Sequence, residues 1–176
     1  PRGPDGDRIH REELARLGMI DLADRRNRLL RHAADRWRDA SPGGFVVAAG
    51  VSTTAPAVCA LLRTISRMSE GQVVLAALDQ HMSAEEWEAI GPFDPDPVTG
   101  RRPRAQESHP QYALKVMLDR IGVHRDEVSL WRWGGGHDAR AARTRNISNA
   151  MLPPAHTGKW RDLKAEERTL NGVRVL

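Results

Sequence analysis

Three hydroxyl side chains, Ser52, Thr53 and Thr54, follow a short apolar segment and precede a helix pattern that opens with a proline. Nucleotide-binding enzymes place phosphate at such a strand–helix junction, where backbone N–H groups and the helix dipole favour an anion. A Walker A loop also needs a glycine-rich turn and a lysine, and the segment VSTTAPAV contains neither. The hydroxyls therefore predict a single-anion site at most, and helix capping or loop packing explains them equally well.

A second candidate is Asp79, which stands at the end of the apolar segment QVVLAAL. An acid at the end of a buried strand binds magnesium in many nucleotide hydrolases. No second acid follows it, so a loop or capping role is the alternative. The histidines lack metal-ligand spacing, and the single cysteine, Cys59, falls on an apolar helix stripe. We therefore expect no metal site, no disulfide and no catalytic residue in this chain.

Arginine supplies most of the positive charge of this chain, whose net charge is +4. Its planar guanidinium suits bidentate contacts with phosphate. Residues 25–38 hold an arginine cluster interleaved with aspartates, which predicts either a solvated helix face or a nucleic-acid or partner surface. The pair Trp131 and Trp133 predicts either a stacking platform for bases or one face of a strand. The candidate DNA-backbone contacts are two further groups, Arg101, Arg102 and Arg104, and Arg140, Arg143 and Arg145.

The elements that position these residues predict an α/β fold. Apolar segments at 45–49 and 72–78 flank a helix opened by Pro56 and capped by Thr54, which predicts a parallel βαβ unit. The continuous apolar run of the first segment predicts a strand buried on both faces. Helical spacing runs through residues 7–40, with a break at Gly18. A capping box at Ser83 opens a short helix. The remaining patterns predict a helix at 110–121, a third strand at 128–133, a glycine hinge at 134–136, a helix at 138–151 and the start of a strand at 171–176.

These patterns divide the chain of 176 residues into three parts. An N-terminal helical segment covers 1–44, an α/β core covers 45–133 with a long loop at 91–108, and a C-terminal helical segment covers 134–176. Loops of that length inside a domain are often functional or disordered. The sequence shows no membrane-spanning run and no signal-peptide pattern, so we expect a cytoplasmic protein without membrane contact. Both termini suggest a piece of a longer protein.

Five segments stand in an informative order: FVVAAG, PAVCALLRTISRM, GQVVLAALD, HPQYALKVMLDRIGV and RNISNAMLPPAHTGKWRDL. Their succession resembles the bacterial AddB family, the B subunits of the AddAB ATP-dependent helicase–nuclease that processes double-strand breaks. The resemblance covers roughly residues 22–163. The chain departs from the family pattern at two places, where Val51-Ser52-Thr53 replaces STG and Ala76-Ala77 replaces the PG before the second aspartate.

The resemblance implies a degenerate RecA-like, helicase-like core within a DNA-repair and recombination subunit. It implies DNA ends or single-stranded tails and an AddA-type subunit as partners. ATP and magnesium would bind with that partner, and the exonuclease and iron–sulfur residues would lie outside this chain, in which we expect no cofactor. Enzymatic activity would then belong to the parent protein. Two alternatives stay open: an interaction module that docks the motor subunit, and a stand-alone nucleotide-binding enzyme.

Overall fold

The strand–helix–strand unit predicted from the apolar segments is present. The computed structural model describes residues 4–131 and 137–168. The chain divides into two units, Pro1–Val74 and Leu75–Leu176. This boundary falls inside the segment 45–133, and the three-part division stays a prediction. Among the described residues, no helix combines the length and the apolar character that crossing a bilayer requires.

The first unit begins with two helices, α1 at Pro4–Arg16 and α2 at Leu22–Asp39. Gly18 separates them with a φ of +68°, a conformation that glycine adopts without steric cost, so the predicted break is confirmed. The carboxylate of Asp21 caps α2 by accepting the Ala23 N–H at 2.7 Å. The Thr64 hydroxyl on the helix of the βαβ unit donates to the Ala34 carbonyl of α2 at 3.2 Å and ties the two helices together.

The βαβ unit comprises β1 at Val46–Ala49, α3 at Pro56–Ile65 and β2 at Gly71–Val74. The two strands are parallel, and Val46 pairs with Gly71 at the start of the register. Pro56 stands in the first turn of α3, where a missing N–H breaks no hydrogen bond. A Cβ on Gly71 would lie 2.0 Å from the Ile65 carbonyl oxygen, so β2 begins so close to the end of α3 that only glycine fits.

Two predictions about this sheet are wrong. β1 is not buried on both faces, because Phe45 and Val47 are 73% and 50% exposed. Exposure alternates along β1, as expected when the described part of the unit covers one face of the sheet only. β2 ends at Val74 rather than at residue 78, because Ala77 has a φ of +59° and cannot continue an extended strand.

The second unit contains α4 at Ala84–Glu88, α5 at Tyr112–Ile121 and α6 at His137–Ala150. Short 3₁₀ helices occupy Arg125–Glu127, Pro154–Arg161 and Ala165–Glu167. These elements confirm the predicted helices near 84, 110 and 138, and Gly122 ends α5 in a left-handed conformation. The buried apolar side chains of the unit are Met82, Trp87, Ile90, Met117, Leu118, Ile121, Leu152 and Leu163.

The predicted third strand at 128–133 is wrong for residues 128–131, which have no strand structure. Val128 uses both of its backbone groups elsewhere. Its N–H donates to the Arg125 carbonyl at 3.2 Å, and its carbonyl accepts a hydrogen bond from the Gln80 side chain. Residues 132 and 133, the glycine hinge at 134–136 and the predicted strand at 171–176 lie outside the described residues.

Candidate nucleic-acid interface

The hydroxyl loop between β1 and α3 holds Ser52, Thr53 and Thr54. Ser52 and Thr53 are exposed and Thr54 is half-buried. The Thr53 hydroxyl accepts the Ala55 N–H at 3.2 Å and is engaged in its own loop. Ala55 is the N-cap of α3 and provides no side-chain cap, so the prediction that Thr54 caps this helix is wrong. The loop joins a strand to the N-terminus of a helix and lacks the lysine and the glycine-rich turn that hold a nucleotide.

Asp79 lies in the second unit, in an irregular segment rather than at a strand end, so that part of its prediction is wrong. Its carboxylate accepts the N–H groups of His81 at 2.8 Å and Met82 at 3.3 Å. An aspartate that bonds the backbone two residues ahead forms an Asx turn. The structure therefore gives this side chain a turn-forming contact. Among the described residues, no group of three or more histidine, cysteine, aspartate or glutamate side chains is arranged to hold a metal ion.

Gln111 is a structural residue that reasoning from residue types alone missed. Its side-chain oxygen accepts the Asp79 N–H at 2.9 Å, and its side-chain nitrogen donates to the Ala77 carbonyl at 2.9 Å. The neighbouring His109 ring accepts the Gln111 N–H at Nδ1, 3.1 Å away, which leaves Nε2 to donate to the Met151 carbonyl at 2.6 Å. The sequence signal for this role was the triplet His109-Pro110-Gln111, which is part of the AddB resemblance. In the structure, its side chains connect loops that are distant in the sequence.

The long loop at 91–108 is folded around one carboxylate. Asp96 Oδ1 accepts the N–H of Val98 at 3.0 Å, the N–H of Thr99 at 2.6 Å and the Thr99 hydroxyl at 2.9 Å. Hydrogen bonds from Thr99 and then from Val98 hold the pKa of Asp96 below its usual value. The Asp96 N–H donates to the Arg101 carbonyl at 2.8 Å and closes the turn. These bonds give the tip of the loop a defined backbone.

The base of the same loop is tied to the core of the second unit. The Gln106 N–H donates to the carbonyl of the buried Ile90 at 2.8 Å. Gly91 has a φ of +80°, and a Cβ there would lie 2.9 Å from the Ala105 Cβ. Both ends of the loop are therefore held close together. A loop fixed at its tip and its base presents its side chains from a defined position.

Three arginines of this loop, Arg101, Arg102 and Arg104, are exposed. Within the described part of the chain, none of the three side chains has an ion pair or a hydrogen bond. Arg104 also lines a cavity of about 410 Å³ that continues along the backbone to Ser108. We call these three side chains the loop arginines. They are cations on an ordered support whose hydrogen-bond donors face solvent, which is the arrangement that phosphate groups bind.

Other cations of the second unit have partners inside it. Trp87 lies between the Lys115 ammonium, 5.4 Å from its ring centroid, and the Arg125 guanidinium, 4.9 Å away. Lys115 also donates to both carboxylate oxygens of Glu88 at 3.0 Å, and Arg125 donates to the Met82 carbonyl at 2.8 Å. These two cations contribute to the core through cation–π contacts and hydrogen bonds. The loop arginines differ because no residue that the structure describes engages their side chains in this way.

Two arginines of the second predicted group lie on different sides of one helix. Arg143 and Arg145 are both exposed on α6, but residues two apart on a helix point about 200° apart. The Arg140 side chain lies outside the described residues. Trp131 is exposed, and its predicted stacking companions Arg132 and Trp133 lie outside the described residues as well. The helix arginines and the tryptophan platform stay predictions, and the loop arginines form the better defined candidate.

Comparison of the chain with protein-family models, curated proteins and solved structures finds no match. The resemblance to the AddB family therefore remains a prediction made from the sequence. The candidate interface depends on the geometry of loop 91–108 alone.

Proposed function

We propose that this chain is a non-catalytic, helicase-like segment of a DNA-repair helicase–exonuclease subunit, and that it contacts the DNA backbone through the loop arginines. The observation that carries the DNA contact is an ordered loop with three exposed arginines that have no described partner. The resemblance to AddB supplies the repair context. The parallel βαβ unit supports a degenerate RecA-like core, and the hydroxyl loop without lysine supports a role as scaffold.

Phosphate is the ligand that this arrangement favours. Arginine donates through a rigid fork that matches two phosphate oxygens, and its guanidinium is more weakly hydrated than a lysine ammonium. The turn at Asp96 fixes the backbone before binding, so less conformational entropy is lost when the complex forms. Contacts of this kind position a duplex or a strand without reading its sequence. We therefore expect affinity for DNA with little dependence on sequence.

The salt dependence of binding follows from the number of phosphates engaged. Each phosphate contact on duplex DNA contributes about 0.9 to the slope of log affinity against log salt, so three contacts predict a slope of about −2.7. Raising the salt from about 50 to about 200 mM would then weaken binding by about 40-fold.

The test is fluorescence anisotropy of the full chain with a duplex that carries a single-stranded tail, at these two salt concentrations. The test variant replaces the loop arginines with glutamine, which takes the net charge from +4 to +1. We expect this variant to lose most of its affinity at low salt and most of its salt dependence. The control removes the same charge at three exposed arginines of the first unit, Arg31, Arg63 and Arg67.

Equal losses in the two variants would mean that net charge, rather than the loop, causes binding, and would refute the interface. No binding by the unmodified chain at low salt would refute the DNA contact itself. The scaffold part of the proposal has a separate test, because magnesium-nucleotide should leave the melting temperature unchanged. A rise in that temperature would favour the nucleotide-binding enzyme instead.

A further inference from the structure

Helix α2 carries a row of exposed side chains that its own unit does not cover. The row consists of Leu22, Arg25, Leu29, His32 and Arg36, and all five side chains are exposed. Their spacing of three, four, three and four residues places them on one face of the helix. We call this face the outer row.

The other sides of α2 are occupied. The side of α2 that packs within its unit holds Ala34, which is buried, and Leu30 and Trp37, which are half-buried. The Thr64 hydroxyl of α3 reaches the Ala34 carbonyl on that side. A third side faces the groove beside α1, which Asp24, Asn27 and Arg28 line together with residues of α1. The outer row belongs to neither contact and projects from the unit.

The chemistry of the outer row is apolar and cationic. Leu22 and Leu29 are 80% and 58% exposed, so two large apolar side chains of this face are in contact with solvent. Arg25 and Arg36 have no ion pair in the described part of the chain. Two of the three aspartates of α2 pair with arginines outside the row: Asp24 with Arg28 at 2.7 Å and Asp35 with Arg38 at 3.0 Å. The third, Asp39, is exposed and lies three residues after Arg36, beyond the C-terminal end of the row. Between Leu22 and Arg36 the row therefore presents leucines and arginines without a carboxylate.

We propose that the outer row docks an acidic amphipathic helix of a partner protein. Leu22 and Leu29 are seven residues, or two helical turns, apart. Leucines at this spacing pack against apolar residues that a second helix carries at the same spacing. Glutamates or aspartates beside those residues would pair with Arg25 and Arg36. The inference goes beyond the proposed DNA contact, since it concerns the first unit and a different class of partner.

Charge complementarity selects this occupant over two others. A second copy of α2 would bring its own arginines against Arg25 and Arg36, and like charges at a helix contact oppose association. A nucleic-acid backbone would satisfy the arginines but would leave Leu22 and Leu29 facing charged phosphates. An acidic helix alone satisfies both kinds of side chain.

The first measurement is calorimetric titration of the full chain with a synthetic helical peptide of about 20 residues, long enough to hold helical structure. The peptide carries leucines at three- and four-residue spacing with glutamates beside them. A peptide of the same composition in scrambled order is the matched ligand control. We expect binding of the patterned peptide and none of the scrambled one.

Three variants locate the site. L22S/L29S removes the apolar contact and R25E/R36E reverses the charge, and we expect each to weaken binding by about tenfold or more. Circular dichroism would show that both remain folded. R31E/R63E applies the same charge change at exposed arginines outside the row, and we expect its affinity to stay near that of the unmodified chain. A peptide with lysines in place of glutamates should recover binding to R25E/R36E.

Absence of binding to the patterned peptide, or equal losses in R31E/R63E and R25E/R36E, would overturn the proposal. Concentration-dependent self-association that L22S/L29S abolishes would assign the row to a second copy. Loss of DNA affinity in R25E/R36E, with the peptide unbound, would assign it to nucleic acid. The loop-arginine variant separates these outcomes from those of the proposed function, because it leaves the outer row unchanged.

Discussion

Replacing Glu86 with glutamine should destabilise the second unit by about 3 kcal/mol, as estimated from one lost and one weakened charged hydrogen bond. The Glu86 side chain is 4% exposed and accepts the Lys159 ammonium at 2.8 Å. It also accepts the Ser83 N–H at 2.7 Å, while the Ser83 hydroxyl accepts the Glu86 N–H at 3.2 Å. The predicted capping box is thus confirmed and is extended by an ion pair. Glutamine keeps the size but only one acceptor oxygen, whereas Lys159 and Ser83 donate to different oxygens of Glu86, so one of the two bonds is lost.

The magnitude follows from the change in hydrogen-bond type. A hydrogen bond to a charged group contributes about 1.5–3 kcal/mol and a neutral one about 0.5–1.5, so losing one bond costs about 2 kcal/mol and weakening the other costs about 1 kcal/mol. The larger penalty of about 3–5 kcal/mol for breaking a buried pair does not apply. Lys159 is 44% exposed and regains water when its partner loses the charge.

The pH dependence of this effect has a defined sign. Burial acts most strongly on Glu86 and raises its pKa, but the hydrogen bonds from Lys159 and Ser83 together outweigh it, so the pKa lies below its usual value. A carboxylate with a depressed folded pKa stabilises the protein above its unfolded pKa of about 4.3. That stabilisation is lost as the pH falls through the folded value. The difference in free energy of unfolding between the unmodified chain and Glu86→Gln should therefore have its full size at neutral pH and decrease in acid.

Urea unfolding followed by tryptophan fluorescence measures this difference, because four of the five tryptophans lie in the second unit. The matched control is Glu85→Gln, which removes the same charge from the same turn of α4 at an exposed position. We expect the control to shift the free energy of unfolding by less than about 0.5 kcal/mol. Equal shifts in the two variants, or a Glu86→Gln effect that is the same in acid as at neutral pH, would refute the reasoning.

Three further substitutions test other contacts. Gly71→Ala should destabilise the first unit by about 1–3 kcal/mol in thermal unfolding, because its Cβ would lie 2.0 Å from the Ile65 carbonyl oxygen. Gly43→Ala, whose Cβ meets nothing within 4 Å, is its control, and equal melting temperatures would contradict the expectation. Gln111→Ala should lower the urea midpoint of the second unit through two lost hydrogen bonds, about 1–2 kcal/mol together; an unchanged midpoint would count against that role. Asp96→Ala should speed tryptic cleavage of the long loop, since three hydrogen bonds lose their acceptor. Digestion at the original rate would contradict the ordering role of Asp96.

Local sequence rules predicted the elements well where the determining residues are neighbours in the chain. The capping box at Ser83, the break at Gly18 and the end of α5 at Gly122 depend on side chains within one or two helical turns. The βαβ order was also predictable, because Pro56 and two apolar runs mark its parts. These features need no knowledge of what packs against them.

Features that depend on distant residues were not predictable. The exposed face of β1 depends on which elements cover the sheet, and an apolar run does not reveal this. The strand predicted to residue 78 cannot pass Ala77, which has a φ of +59° and whose carbonyl accepts a hydrogen bond from the distant Gln111. The sequence also did not decide whether the long loop is ordered, although Asp96-Pro97-Val98-Thr99 is a recognisable turn sequence. Only the folded structure shows that the loop arginines have no partner among residues 4–131 and 137–168.

The parallel pairing of β1 and β2 also constrains how the first unit folds. Parallel strands cannot be joined by a tight turn. Val46 can therefore pair with Gly71 only when the long connection that contains α3 has closed. Closing that connection costs chain entropy before any strand contact compensates for it. Substitutions that weaken α3 or its contact with the strands should therefore slow folding as well as lower stability. Substitutions at the exposed hydroxyls of the preceding loop should change the folding rate little.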